Sequence, residues 1–172
     1  MGALRTGLIL AWIMAMGTWP DIAKAQERVA LTMERLGDIR VGMNVDEAYR
    51  SLLRTGPAKK PASSMDDCDY YVPRHGLAFM VDKRVIVRIE VSEDMAVTSS
   101  GIRISDSIAR VKAVLGNKVV DEPQFYDGPE ARTLTVLSKD RKTAMRFEIY
   151  DNRVREIYAG YEASIHFVEG YL

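Results

Sequence analysis

The chain has 172 residues, with 24 lysine and arginine side chains against 24 aspartate and glutamate and a hydrophobic share of 47%. Such an even balance excludes the basic excess that binding to nucleic acid or anionic lipid calls for. A single cysteine, Cys68, excludes a disulfide framework within the chain, so stability has to come from buried apolar surface, which this length can supply.

The first 25 residues read as a cleavable secretory leader. Arg5 gives a short positive start, "GLILAWIMAMG" (7–17) an apolar core, and Ala23-Lys24-Ala25 an A-x-A cleavage site. Trp19-Pro20-Asp21 interrupts the apolar run before it reaches the roughly 18 residues of a membrane anchor. Cleavage after Ala25 removes Arg5, Asp21 and Lys24 and leaves a net charge near minus one. The expected location is the bacterial periplasm or the exterior, with no stable membrane anchor after cleavage.

The segment "DIRVGMNVDEAYRSLL" (38–53) is echoed by "GIRISDSIARVKAVLG" (101–116), pairing Ile39 with Ile102, Arg40 with Arg103 and Leu52 with Leu115. In the first copy Asn44 and Glu47 have capping-box spacing, so a helix is expected from Val45, with Val45, Ala48, Tyr49, Leu52 and Leu53 on one stripe and Gly56-Pro57 as its stop. Strands follow at "DYYVP", "GLAFMV" and "VIVRIEV", with turns at 74–76 and 82–84. The second copy takes Ser107 as N-cap, repeats the stripe as Ile108, Val111, Val114 and Leu115, and closes on Gly116-Asn117. Its strands are "TLTVLS", "AMRFEI" and "VREIYAG", with turns at 139–141 and 151–153. A longer middle around Gln124 to Ala131 accounts for the growth of the repeat offset, and "ASIHFVEGYL" reads as a final strand with Ile165, Phe167 and Leu172 on one face. The fold class expected is α+β: two tandem helix-plus-antiparallel-meander repeats, 26–98 and 99–172, forming a curved sheet with its helices on one face.

The pattern "RVGMNVDEA" with a leucine-bearing helix, a Gly-Pro stop and a β-meander resembles the repeat of the SmpA/OmlA (BamE-like) outer-membrane assembly lipoproteins and of the β-lactamase inhibitory protein family. The likeness covers Gly37 to about Val91 and, more loosely, Gly101 to about Gly160. The chain also resembles small uncharacterised exported proteins that share "C-x-Y", "GLAFMV" and a terminal "VEG" before a second cysteine, where this sequence has Tyr171. The resemblance implies a tandem-repeat sheet that grips another protein.

Candidate chemistry is sparse. Cys68 is either a reactive or intermolecularly bridged thiol or a buried small side chain. His75 and His166 have no ligand spacing, Asp66, Asp67 and Asp69 do not follow a calcium loop, and no G-x-S-x-G elbow marks a nucleophile. No catalytic residue, metal or cofactor is therefore assigned. Tyrosine and arginine on the strands are the residues suited to recognition, and Tyr70, Tyr126 and Tyr158 are the partner-binding candidates. The expectation is a non-enzymatic exported module that grips an envelope or secreted protein with its sheet, as inhibitor, immunity factor or assembly accessory. The alternative is a periplasmic binder of a small molecule or cell-wall ligand, recognisable by a deep pocket.

Overall fold

The computed structural model describes residues 28–65, 69–124, 128 and 130–167. Two hairpin turns organise it. Lys83 and Arg84 take positive φ values of 48° and 65°, and Asp151 and Asn152 take 52° and 59°. Consecutive left-handed residues give the turn whose twist matches that of the flanking strands.

In chain order the elements begin with three short strands, β1 (Val29–Leu31), β2 (Arg35–Leu36) and β3 (Ile39–Arg40), and helix α1 (Val45–Leu53). A meander follows as β4 (Asp69–Arg74), β5 (Leu77–Asp82) and β6 (Val85–Val91), then β7 (Ala96–Thr98) and helix α2 (Ile108–Leu115). The second meander is β8 (Val119–Pro123), β9 (Arg132–Leu137), β10 (Thr143–Tyr150) and β11 (Arg153–Tyr161), closed by the short helix α3 (Glu162–Ile165).

The architecture is α+β with two sheets. The main one is seven-stranded and antiparallel, in the order β4-β5-β6-β11-β10-β9-β8. A four-stranded one, β3-β2-β1-β7, pairs β1 with β7 in parallel and stands apart from the one curved sheet expected from the sequence. The segment "DIRVG" (38–42) contains β3, while its counterpart in the second copy, "GIRIS" (101–105), forms no strand. The two meanders meet along β6 and β11, where four residue pairs run from Ile157 with Val91 to Gly160 with Arg88.

Each helix start is tied to the hairpin turn of its own meander by the same three backbone bonds. Gly42 N donates to Ile86 O, Ile86 N to Met43 O and Val45 N to Arg84 O; Ser105 N donates to Val154 O, Val154 N to Asp106 O and Ile108 N to Asn152 O. Asn44 accepts from Asp46 N at 2.9 Å, while Glu47 faces Arg40 at 3.8 Å, so the cap forms without the expected reciprocal box. Ser107 accepts from Arg110 N.

The apolar core lies on one face of the main sheet. Phe79, Ile89, Phe147 and Ile157 are fully buried there, together with Val45, Ala48 and Leu52 of α1 and Val111 of α2. Burying each of these side chains other than that of Ala48 contributes about 1.5–3 kcal/mol. Two stripe assignments fail: Leu53 is 49% exposed, its place in α1 taken by the buried Ser51, and Val114 is 42% exposed. Both lie at the outer margin of a short helix, where the sheet no longer reaches.

The described part of the tail, to Phe167, is not a strand, and Leu172 lies outside the described residues. Residues 162–165 turn into α3, which packs against β10, β11 and β6 on the opposite face of the main sheet, so the helices do not all share one face. Space for α3 comes from Ala144 and Gly160, which are cross-strand partners. A Cβ on Gly160 would lie 2.4 Å from the Val87 carbonyl oxygen and 2.8 Å from the Arg88 Cα, backbone atoms that cannot swing aside. Gly160→Ala is expected to cost about 1–3 kcal/mol by overpacking at the junction of the meanders, measured by urea unfolding.

Candidate functional site

The second face of the main sheet is polar, and two β-bulges help to make it so. Val81 pairs with Ile86 but Met80 with Arg88, leaving Val87 as an extra residue on β6. Ile149 pairs with Val154 but Glu148 with Glu156, leaving Arg155 extra on β11. Strict alternation from the buried Ile86 and Val154 would send Arg88 and Glu156 toward the apolar core. Each bulge resets the alternation and sends them to the other face.

Arg88 is the centre of this face and is 1% exposed. Its Nε donates to Glu90 Oε1 at 2.7 Å, Nη2 to the Tyr70 hydroxyl at 2.7 Å, and Nη1 to the carbonyls of Ser164 and Phe167 at 2.7 and 2.8 Å. The guanidinium carbon lies 4.6 Å from the centre of the Tyr158 ring. Arg146 repeats the pattern one strand beyond β11: it pairs with Glu148 at 2.5 Å and donates to Ile165 O at 3.2 Å. The two guanidinium groups thus satisfy carbonyls at the end of α3 that have no partner within so short a helix. Ser164 Oγ adds a bond to Val87 O at 2.9 Å.

Glu156 completes the face. The Tyr158 hydroxyl donates to its carboxylate, and its cross-strand neighbour is Glu148. Burial raises the pKa of Glu90 above the ordinary carboxylate value, opposed by Arg88 and by the Tyr70 hydroxyl. Burial likewise raises Glu148, opposed by Arg146, with Glu156 adding to the rise. Tyr158 is pushed up by burial and then by the Glu156 carboxylate, so its hydroxyl stays a proton donor.

A cavity of about 640 Å³ lies where β6 parts from β11, its wall including Ser92, Ser105, Gln124, Glu148, Arg155 and Glu156. A smaller one of about 130 Å³ adjoins it at Val72, Ala78, Glu90 and Glu156. A third, of about 550 Å³, is walled by Leu36, Ile39, Leu52, Leu77 and Met95 between α1 and the small sheet.

Of the three tyrosines singled out in the sequence, Tyr70 and Tyr158 are brought together by Arg88, one through its hydroxyl and the other through its ring. Tyr126 lies outside the described residues, as do Cys68, Asp66 and Asp67 and the leader. His75 and His166 are exposed and face Glu93 and Glu162, each at 3.6 Å. Among the described residues no group of three or more histidine, cysteine, aspartate or glutamate side chains is placed to hold a metal. Among the described residues no helix is long and apolar enough to cross a membrane.

Sequence reasoning reaches Arg146 only as one of the strand aromatic and arginine residues suited to recognition, and misses Arg88, Glu90, Glu148 and Glu156. A signal was present: "VRIEV" and "MRFEI" each place Arg and Glu two apart inside an otherwise apolar strand, the spacing that puts both on one face. The bulge that re-aims Glu156 left no such trace.

No protein-family profile matches the chain, and no curated protein matches it. Among solved structures it is similar to an extracellular protein containing a SCP domain from Bacillus anthracis str. Ames, at 9% identity and a TM-score of 0.46. That alignment covers 73% of this chain and 45% of the other.

Two outcomes follow from this geometry. Arg88→Lys keeps the charge but loses the fork that reaches Glu90, Tyr70 and α3 together, and is expected to cost about 3 kcal/mol or more. Hydrogen exchange should then rise across 162–167 before the rest of the sheet is affected. For Glu148, a raised native pKa means that the folded chain holds the proton more tightly than the unfolded one. Its contribution is present below the unfolded value of 4.5 and is lost as pH rises through the native value. The stability of the wild type relative to Glu148→Gln should therefore fall as pH rises above the unfolded value of 4.5, read from urea unfolding at each pH.

Proposed function

We propose that this chain is an exported, non-enzymatic binding protein that engages an envelope or secreted protein with the polar face of its main sheet. The observation that carries this reading is the row in which Tyr158, Arg88 and Tyr70 hold one another in fixed orientation. Tyr70 and Tyr158 are half-buried there. Aromatic and arginine groups already immobilised before contact lose little further freedom on binding, which is how a few residues come to dominate an interface.

The contact area in this reading is the part of the face that α3 leaves open. Val72 and Val120, 50% and 52% exposed, border it with apolar surface, and Phe167 stands beside α3. Residues 26–98 and 99–172 are then two copies of one unit under a leader of 25 residues. The matching bonds from each helix start to its own hairpin support that duplication.

A second reading, binding of a small molecule or cell-wall ligand, is favoured by the 640 Å³ cavity, which falls within the size range of ligand sites. The experiment that separates them is affinity capture of the tagged protein from its own envelope fraction after brief crosslinking. A stoichiometric protein partner is expected, with recovery cut at least about tenfold by Tyr158→Ala and by Val72→Asp, the latter changing an exposed position that the fold does not need. Undiminished recovery with both variants would show the polar face is not the contact surface.

A further inference from the structure

The cavity beside β11 holds an electrostatic imbalance inside a built wall. Glu156 lines it, is half-buried, and accepts only the neutral Tyr158 hydroxyl; it makes no ion pair among the described residues. Directly across the strand pair is Glu148, whose side chain is 9% exposed. Its Oε1 is taken by Arg146, and its Oε2 is buried with no hydrogen-bond partner. Like charges set opposite each other on a sheet face repel, and a buried acceptor without a donor costs free energy, so the two carboxylates, with Arg146 as the one paired guanidinium, are short of a second cation. Arg155 also lines the cavity but reaches over the Tyr150 ring, 5.8 Å from its centre, and pairs with neither carboxylate.

We propose that this cavity binds a guanidinium or alkylammonium group, with Glu156 as its direct partner and the charge of Glu148 behind it. A hard metal ion fits less well, because it needs several oxygen ligands converging and the described residues do not supply such a group. A guanidinium offers planar donors to one reachable carboxylate and tolerates partial burial, and the ring of Tyr150 adds an aromatic surface at the rim. The adjoining 130 Å³ hollow, where Val72 and Ala78 lie beside Glu90, has room for the first methylenes of the stem. The cation belongs either to an arginine or lysine side chain of the partner, in which case this inference deepens and rests on the protein-binding reading, or to a free amine.

The test uses arginine amide as probe, with citrulline amide as its neutral isostere, titrated into the purified chain by calorimetry and by amide-resonance mapping. Arginine amide is expected to perturb the resonances of 92–93, 148–150 and 155–158, with citrulline amide at least about tenfold weaker. Glu156→Gln should weaken arginine amide by about tenfold or more, the scale of one charge-assisted hydrogen bond. Glu122→Gln, an exposed carboxylate on the edge strand β8, should leave binding unchanged. Equal binding of the two amides, no binding of arginine amide, or no effect of Glu156→Gln would overturn the proposal. Should Glu148→Gln fail to fold, Glu156→Gln still decides, because Glu156 is not part of a buried ion pair.

Capture from the envelope fraction distinguishes the sources. If Glu156→Gln abolishes recovery of a protein partner, the cation is that partner's side chain. If arginine amide binds while no partner is recovered, the protein-binding reading falls and the cavity stands as a site for a free amine.

Discussion

A guanidinium group sealed inside a protein is a liability of several kcal/mol unless every donor is used, and Arg88 sets this structure around meeting that demand. Its partners come from four elements: Tyr70 on β4, Glu90 on its own strand, Tyr158 on β11 and the carbonyls at the end of α3. None of these elements can shift without leaving a buried charge short of a partner. The residue therefore couples the two meanders to the C-terminal segment more tightly than the four backbone pairs between β6 and β11 would alone. Burial on the other face follows ordinary hydrocarbon packing and carries no such directionality.

The two faces of the main sheet thus exclude water by different means. Large side chains such as Phe79 and Phe147 fill one, while on the other Ala144 and Gly160 keep the surface low enough for a four-residue helix to lie across it. A helix of that length has no stability of its own. It persists because Arg88 and Arg146 supply, through side chains, bonds that further turns of helix would otherwise provide, and because Ser164 Oγ ties it to the Val87 carbonyl of β6. The polar face is in consequence divided between a portion devoted to holding α3 and a portion around Glu156 and Tyr158 that the described residues leave open.

The six main-sheet strands foreseen in the sequence, their turns and both helix starts could be read because the signals were local. Alternation of apolar residues, left-handed pairs at Lys83-Arg84 and Asp151-Asn152, and the N-caps Asn44 and Ser107 all act within a few positions. What escaped depended on distant partners. The small sheet needs β1 to find β7 across 67 positions, and two- or three-residue strands carry no period to detect. The tail has strand-like alternation, yet Arg88 and Arg146 make a turn of helix the better arrangement, and neither lies near it in sequence. Tyr70 and Tyr158 were legible as aromatic residues on strands; that one guanidinium would gather both was not. The carboxylates were hidden for a further reason, since a bulge moves Glu156 to the face that counting by twos denies it.

The outermost strands, β4 and β8, have no further strand beside them among the described residues, so each presents an outer row of backbone groups, of which the Pro73 carbonyl accepts from Lys59 N. Such rows invite another chain to add itself and continue the ladder. Here each carries a proline, Pro73 on β4 and Pro123 on β8, which removes an amide donor from the row, and charged residues stand beside them: Asp69 and Arg74 on one side, Asp121 and Glu122 on the other. A sheet finished off in this way resists growing into fibrils or sticking to unfolded neighbours at high concentration. It leaves the flat surface, rather than the rim, as the place where another molecule can be met.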